Sequence, residues 1–292
     1  MKQRLLPALG CCRNCRPENV GSNAGWTARR AFVLAAAANI ASPALAQVNV
    51  GRASAFRGLV AAEELETAAT QQYAQLLAQA AAQNVLATNS DAQLQKLRAI
   101  AQSIISHTAQ WNDRARNWHW EVNLIRSKQV NAFCMPGGKI AFFSGILDQL
   151  NLSDDEVAMV MGHEMAHALR EHARERIGKT TATGATLSIG AQLFGLGDLG
   201  NLGARAITQI ASLKFSRDDE SEADLVGMEL AARSGFDPQA ASSLWKKMAA
   251  GTGGNSQLAF LSTHPSGPAR IRQLEANEPK VQTLYEQARK GR

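Results

Sequence analysis

Met161-Gly-His-Glu-Met-Ala-His-Ala168 holds an H-E-x-x-H pattern made of His163, Glu164 and His167. On a helix, residues four apart lie about 40° apart around the axis, one turn up. Two imidazoles so placed bind one metal ion, and Glu164 sits beside the first, where it can take a proton from an attacking water. That is the helical half of a zinc hydrolase site. The flanks agree. Ser153-Asp-Asp-Glu156 reads as a capping box that opens a helix. Val157, Val160, Met161, Met165 and Leu169 then follow at helical spacing. The motif therefore lies mid-helix on an apolar element. Buried there without a metal, the His pair would leave costly unpaired polar groups.

A catalytic zinc needs a third protein ligand and one open position. The run Phe215-Ser-Arg-Asp-Asp-Glu-Ser-Glu-Ala-Asp224 is the best source. Glu220 and Asp224 are again four apart, and Leu225, Met228, Leu230 and Ala231 continue a helix. Glu220 suits a ligand. Asp224 suits an acceptor for the outer nitrogen of a ligand imidazole. By spacing alone, the same run equally fits a solvated acidic helix start.

H-E-x-x-H followed by Ser216, Arg217, Glu220, Glu222, Ala223 and Asp224 resembles metallopeptidase family forty-eight. These gluzincins include the CaaX prenyl protease, the bacterial heat-shock membrane protease and soluble periplasmic members. The resemblance implies Glu220 as the third zinc ligand and Asp224 as its orienting neighbour. Glu222 is the nearest competitor but points about 200° from Glu220 around the helix. Asn131-Ala-Phe-Cys-Met-Pro-Gly-Gly138 resembles a further family element and implies that Asn131, Ala132 and Phe133 bind substrate. The apolar run Lys139–Gly145 after it suits a strand. An edge strand near the zinc can take an extended peptide by β-augmentation. Ser262-Thr-His-Pro-Ser-Gly-Pro-Ala-Arg-Ile271 resembles the family's H-P-x4-R element. It implies that His264 lies near the open position, with Arg270 orienting it or stabilising an oxyanion. The similarity covers roughly residues 95–275.

The implied fold is α+β and mainly helical: a gluzincin-type zinc peptidase core with a small antiparallel sheet and an N-terminal helical arm. The implied chemistry is peptide hydrolysis with one zinc ion per chain. Glu164 acts as general base, then passes the proton to the leaving amine. The implied substrates are unfolded or misassembled envelope proteins, with partners at the outer membrane.

Almost all of the formal charge of +6 belongs to the first 46 residues. Lys2, Arg4, Arg13, Arg16, Arg29 and Arg30 stand there against Glu18, leaving 25 basic and 24 acidic residues over 47–292. Nucleic-acid binding has no support in so balanced a chain. Arg29-Arg30-Ala-Phe-Val opens a short apolar stretch to Ala38, and Ala44-Leu45-Ala46 supplies small residues for cleavage. This resembles a twin-arginine export signal, with an ordinary secretory signal as the alternative. Asn39, Ser42 and Pro43 end the stretch well short of the ~20 apolar residues of a membrane span. A periplasmic address without an integral span in the mature chain is therefore expected. Cys11, Cys12 and Cys15 fall in the leader, so Cys134 remains alone and no internal disulfide is expected.

Residues 47–117 read as the helical arm, with two helices over 57–110 broken near Asn89-Ser90; 118–292 read as the core. Strands are expected at 118–124, 129–134 and 139–144. His119 alternates with Trp118 and Trp120 and is expected at the surface. His172, five after His167, lies about 140° round a continued helix and is expected in solvent. Residues 180–212 are glycine-rich and suit a partly ordered cover over the cleft, with a helical hairpin packed on the sheet as the alternative. Two other function classes fit the metal motif. One is a non-peptidase zinc hydrolase. The other is a holdase-like peptide binder, silenced because His264 fills the position that water needs.

Overall fold

The computed structural model describes residues 48–182, 215–250, 259–265 and 267–291. The leader expected over 1–46 lies outside them, as does the cover expected over 180–212 apart from its first three residues. No helix among the described residues is long and apolar enough to cross a membrane.

Helix α1 spans Ala62–Ala82 and α2 spans Ala92–Ile105. They are the two helices expected around Asn89-Ser90. Asp91 caps α2, accepting from the amides of Gln93 and Leu94. Strands β1 (Glu121–Ile125), β2 (Ala132–Met135) and β3 (Lys139–Phe143) follow, in the spatial order β1-β3-β2. The sheet divides two apolar cores. Ile140 and Phe142 face the core that holds α2, whereas Ala141 and Phe143 face Leu65, Tyr73 and Leu76 of α1. This is the period-two alternation of a strand buried on both faces.

The expectation of an antiparallel sheet needs correction. β2 and β3 are antiparallel, but β1 runs parallel to β3, with Glu121 opposite Lys139 and Ile125 opposite Phe143. The cause is the short link between β1 and β2. It reverses direction while leaving one strand's width, which β3 then fills. The link passes so close to the end of β3 that a Cβ on Gly145 would lie 2.5 Å from the carbonyls of Lys128 and Gln129. The first strand also begins at Glu121 rather than at Trp118. The Trp118 indole donates to Glu66 and that of Trp120 to the Ala115 carbonyl, which holds this stretch out of the ladder. His119 is exposed, as expected.

After α3 (Ser144–Leu150) comes the motif helix α4 (Asp154–Leu169). Its capping box is complete: Glu156 N–H donates to Ser153 Oγ and Ser153 N–H to the Glu156 carboxylate. That carboxylate also accepts from Ser243 and Lys247 of α7 (Ala240–Ala250). Burial works to raise the Glu156 carboxyl, but the bonds from Lys247, Ser153 and Ser243 outweigh it and hold the group below its usual range. Every residue of α4 from Glu156 onward is buried, because β2, α2, α7 and α6 (Arg217–Arg233) surround it. Helix α5 (His172–Ala182) continues the chain after a tight turn. The short α8 (Ala259–Thr263) and the long α9 (Pro268–Lys290) close the described fold.

Helices α4 and α6 meet backbone to backbone. A Cβ on Gly162 would lie 2.6 Å from the Gly227 carbonyl oxygen, and one on Gly227 would lie 2.6 Å from the amide nitrogen of His163. Alanine inside a helix ordinarily stabilises by about 0.5–1 kcal/mol relative to glycine. Here overpacking reverses the sign. Gly227→Ala is expected to destabilise the chain by about 1–3 kcal/mol. Thermal unfolding checks this; an unchanged or raised melting temperature would contradict the close crossing.

Candidate metal centre and active site

The α4–α6 crossing brings His163 and His167 against Glu220, and His264 follows α8 into the same place. One ligand atom from each of the four lies within 4.8 Å of the others, and all four residues are buried. His163 Nε2 and His167 Nε2 are 3.1 Å apart. Glu220 lies 3.5 Å from each of them. His264 Nδ1 is 3.2 Å from His163 Nε2 and 2.9 Å from Glu220 Oε1. Zinc bonds of about 2.0–2.2 Å in a tetrahedron space their donors about 3.3–3.5 Å apart, so this set fits such an ion. The donor chemistry fits as well, since imidazole and carboxylate suit zinc. A further atom points the same way. Among the described residues Glu164 Oε1 is buried without a hydrogen bond, which is costly for a carboxylate unless a cation compensates, and Glu220 Oε2 has an ion pair to Arg270 but no aligned hydrogen bond.

His163 presents Nε2 to the centre because its Nδ1 lies 3.1 Å from Asp224. A carboxylate on the outer nitrogen fixes the tautomer and strengthens the ligand. Burial pulls the His163 imidazolium down, yet hydrogen bonds to Asp224 and Glu220 lift it to about 9. Burial dominates at His167 and pushes it well below its ordinary value. The Glu220 carboxyl is held far below the usual carboxylate range. Burial opposes this but is outweighed by hydrogen bonds from His163, His167 and His264. Burial raises the Glu164 carboxyl, partly offset by His264 and His163. A carboxyl so raised is the better proton acceptor.

Arg270 is placed behind the ligands. Nε and one terminal nitrogen grip Asp224. The other lies 2.8 Å from Glu220 Oε2, out of alignment for a hydrogen bond, and donates to the Pro265 carbonyl at 3.1 Å. Its guanidinium carbon lies 3.6 Å from the Trp245 ring centre. Of the two roles expected for it, these contacts fit orientation: Arg270 holds two carboxylates and the residue after His264. The His264 ring stacks on Phe260, 4.4 Å between centres, and its Nε2 faces Glu164 Oε1 at 3.5 Å.

Asn131, Ala132 and Phe133 lie along a cleft that also touches Glu164, His167 and His264. Its wall is β2, whose outer edge carries no strand partner among the described residues. Ala62 and Leu65 of α1, Met135, Ala168 and Ala173 give the cleft an apolar lining, with Glu66, Glu171 and Arg174 also bordering it. The buried Asn131 amide nitrogen has no hydrogen-bond partner among the described residues.

His172 corrects the expectation of a solvated side chain: it is buried, with Nδ1 2.9 Å from His167 Nδ1 and Nε2 3.0 Å from Glu222. The helical angle does not apply, because α4 ends at Leu169 and Glu171 turns the chain through a left-handed conformation, φ 60°. Glu222 thus stays off the centre and serves His172. Phe215, stacked on His167 at 4.0 Å, is the other neighbour that spacing did not single out.

Residues 91–278 match the family described as Peptidase family M48. Mitochondrial metalloendopeptidase OMA1 of Schizosaccharomyces pombe is 39% identical over 168 residues, covering 57% of this chain and 49% of that protein. Metalloprotease LoiP of Escherichia coli is 30% identical over 154 residues, covering 51% of this chain and 58% of that protein. The Beta-barrel assembly-enhancing protease of Yersinia pestis is 30% identical over 157 residues, 51% of this chain and 32% of that protein. The matches thus span about half the length of these relatives, or less. With a family match over residues 91–278 and a candidate ligand set drawn from both motifs, the chain belongs to peptidase family M48.

Proposed function

We propose that this chain is a zinc-dependent metalloendopeptidase that cuts unfolded or misassembled envelope proteins. The observation that carries the reading is the cluster of His163, His167 and Glu220 beside Glu164, opening on a cleft whose strand edge carries no strand partner among the described residues. An extended peptide is the ligand that such an edge takes, through main-chain hydrogen bonds. In a folded domain most extended segments already have their backbone groups paired within a sheet, which favours unfolded chains. Zinc held by the three ligands would acidify a water and polarise the scissile carbonyl. Glu164 takes the proton of the attacking water and delivers it to the leaving amine. Its burial, and an Oε1 without a hydrogen bond among the described residues, suit both steps. Asp224 and Arg270 keep His163 and Glu220 in place. The apolar lining from Leu65, Met135 and Ala173 favours a large apolar side chain beside the cut.

The expected export signal supports a periplasmic address, and the Yersinia pestis relative's printed role in β-barrel assembly supports partners at the outer membrane. An envelope-fraction protein whose N-terminus is Gln47 would agree; one retaining residues 30–46 would not.

One observation favours a second, regulatory reading. His264 Nδ1 stands within 4.8 Å of the candidate ligand atoms of His163, His167 and Glu220, so the four residues together would supply all four ligands of a tetrahedral ion. His264 must then swing out before water enters, and the chain rests in a latched, peptide-holding state.

Cleavage of an unfolded protein checks both readings. Glu164→Gln is expected to keep zinc and lose activity by at least ~100-fold, the lower end for loss of a general base; full activity would contradict the mechanism. His264→Ala is expected to raise basal cleavage; a fall instead assigns His264 to catalysis.

A further inference from the structure

We propose that His172 and Glu222 are positioning residues for the ligand His167, forming an ordered hydrogen-bond relay that sets how tightly the ion is held. The inference rests on the zinc site proposed above. His163 has its orienting carboxylate directly, in Asp224 at 3.1 Å. Among the described residues no carboxylate reaches the outer nitrogen of His167. A second histidine stands there instead, with Nδ1 at 2.9 Å, and its far nitrogen meets Glu222 Oε2 at 3.0 Å.

The order of protons follows from the end of the chain. A carboxylate only accepts, so His172 Nε2 donates to Glu222. A neutral His172 then offers the lone pair of Nδ1, so His167 Nδ1 donates to it. That leaves the Nε2 lone pair of His167 aimed at His163 and Glu220, where the ion binds. Reversing any link would put a proton on the ligand nitrogen.

The surroundings hold the relay in place. His172 is 1% exposed, and its ring centre lies 5.0 Å from that of His167 in a T-shaped contact. Arg170 forms an ion pair with the other oxygen of Glu222 and reaches the Gly51 carbonyl at 3.3 Å. The turn that delivers His172 is pinned as well. Glu171 takes its left-handed conformation while bonded to Arg57 and Arg174. Residues from the N-terminal segment, the α4–α5 turn and α6 thus converge on one ligand ring without touching the ion.

The test uses the full chain, with zinc affinity measured by competition against a chromophoric chelator and with visible absorption of bound Co2+. His172→Ala and Glu222→Gln are expected to weaken zinc binding by about 10- to 100-fold and to shift the Co2+ bands, as loss of an orienting partner does. His172→Asn keeps a side-chain acceptor near Nδ1 and is expected to recover most of the affinity. A filler role would leave the Co2+ bands unmoved and would not distinguish Asn from Ala. Wild-type affinity and bands in both Ala and Gln variants would overturn the relay, as would equal losses in folded Ala and Asn variants. If His172→Ala does not fold, the Asn and Gln variants decide. A wild-type chain that binds no zinc would overturn the metal site, and the relay with it.

Discussion

Gly162 and Gly227 face each other where α4 crosses α6, and with no side chain between them the two backbones touch. His163 follows the first glycine by one residue; Asp224 precedes the second by three, within one turn. The separation of the helices therefore sets the distance from the imidazoles to Glu220 and Asp224. A crossing opened by one methyl group would move the ligands by more than the few tenths of an ångström that a metal site tolerates. The capping boxes at Ser153 and Ser216 fix where each helix starts, and so which residues meet at the crossing.

That geometry concentrates charge in a buried place. Glu164, Glu220 and Asp224 face one guanidinium, Arg270, and all four are buried. Three carboxylates against one cation leave two negative charges, which a divalent ion held by neutral imidazoles would cancel. Unpaired buried charges cost several kcal/mol each; without the ion, protonation of His163, lifted to about 9, offsets part of that charge, and a bound divalent ion would close the sum. Glu222 stands outside this sum, paired with Arg170. The candidate site is thus layered: His163, His167, Glu220 and His264 at the centre, Asp224 and His172 against the two motif imidazoles, and Arg270 and Glu222 behind them.

Much of this was legible because helical spacing is regular. Four-residue intervals put His163 with His167 and Glu220 with Asp224, and the capping box at Ser153 framed the first pair. The strand expected at 139–144 is legible from its apolar run and forms as Lys139–Phe143; the one expected at 129–134 forms later in the chain, over Ala132–Met135. The direction of β1 is not legible, because it depends on which side of β3 a short link lands. His172 was misread where regular spacing stopped: one left-handed residue, Glu171, ended the helix that the angle assumed. Its two signals were a third histidine five after the motif and an acidic residue two after Glu220. The Gly162–Gly227 contact was also hidden, since either glycine alone reads as a weak spot in its helix rather than as half of a crossing.

The central claim is that this crossing assembles a three-ligand site for one divalent ion. Zinc content after dialysis against metal-free buffer tests it most directly, measured on the wild-type chain and on Glu220→Gln. The account predicts about one zinc per wild-type chain, and far less in the variant, which loses one of the three ligands of a catalytic site. A wild-type chain without zinc, or a variant that keeps its full share, would contradict it.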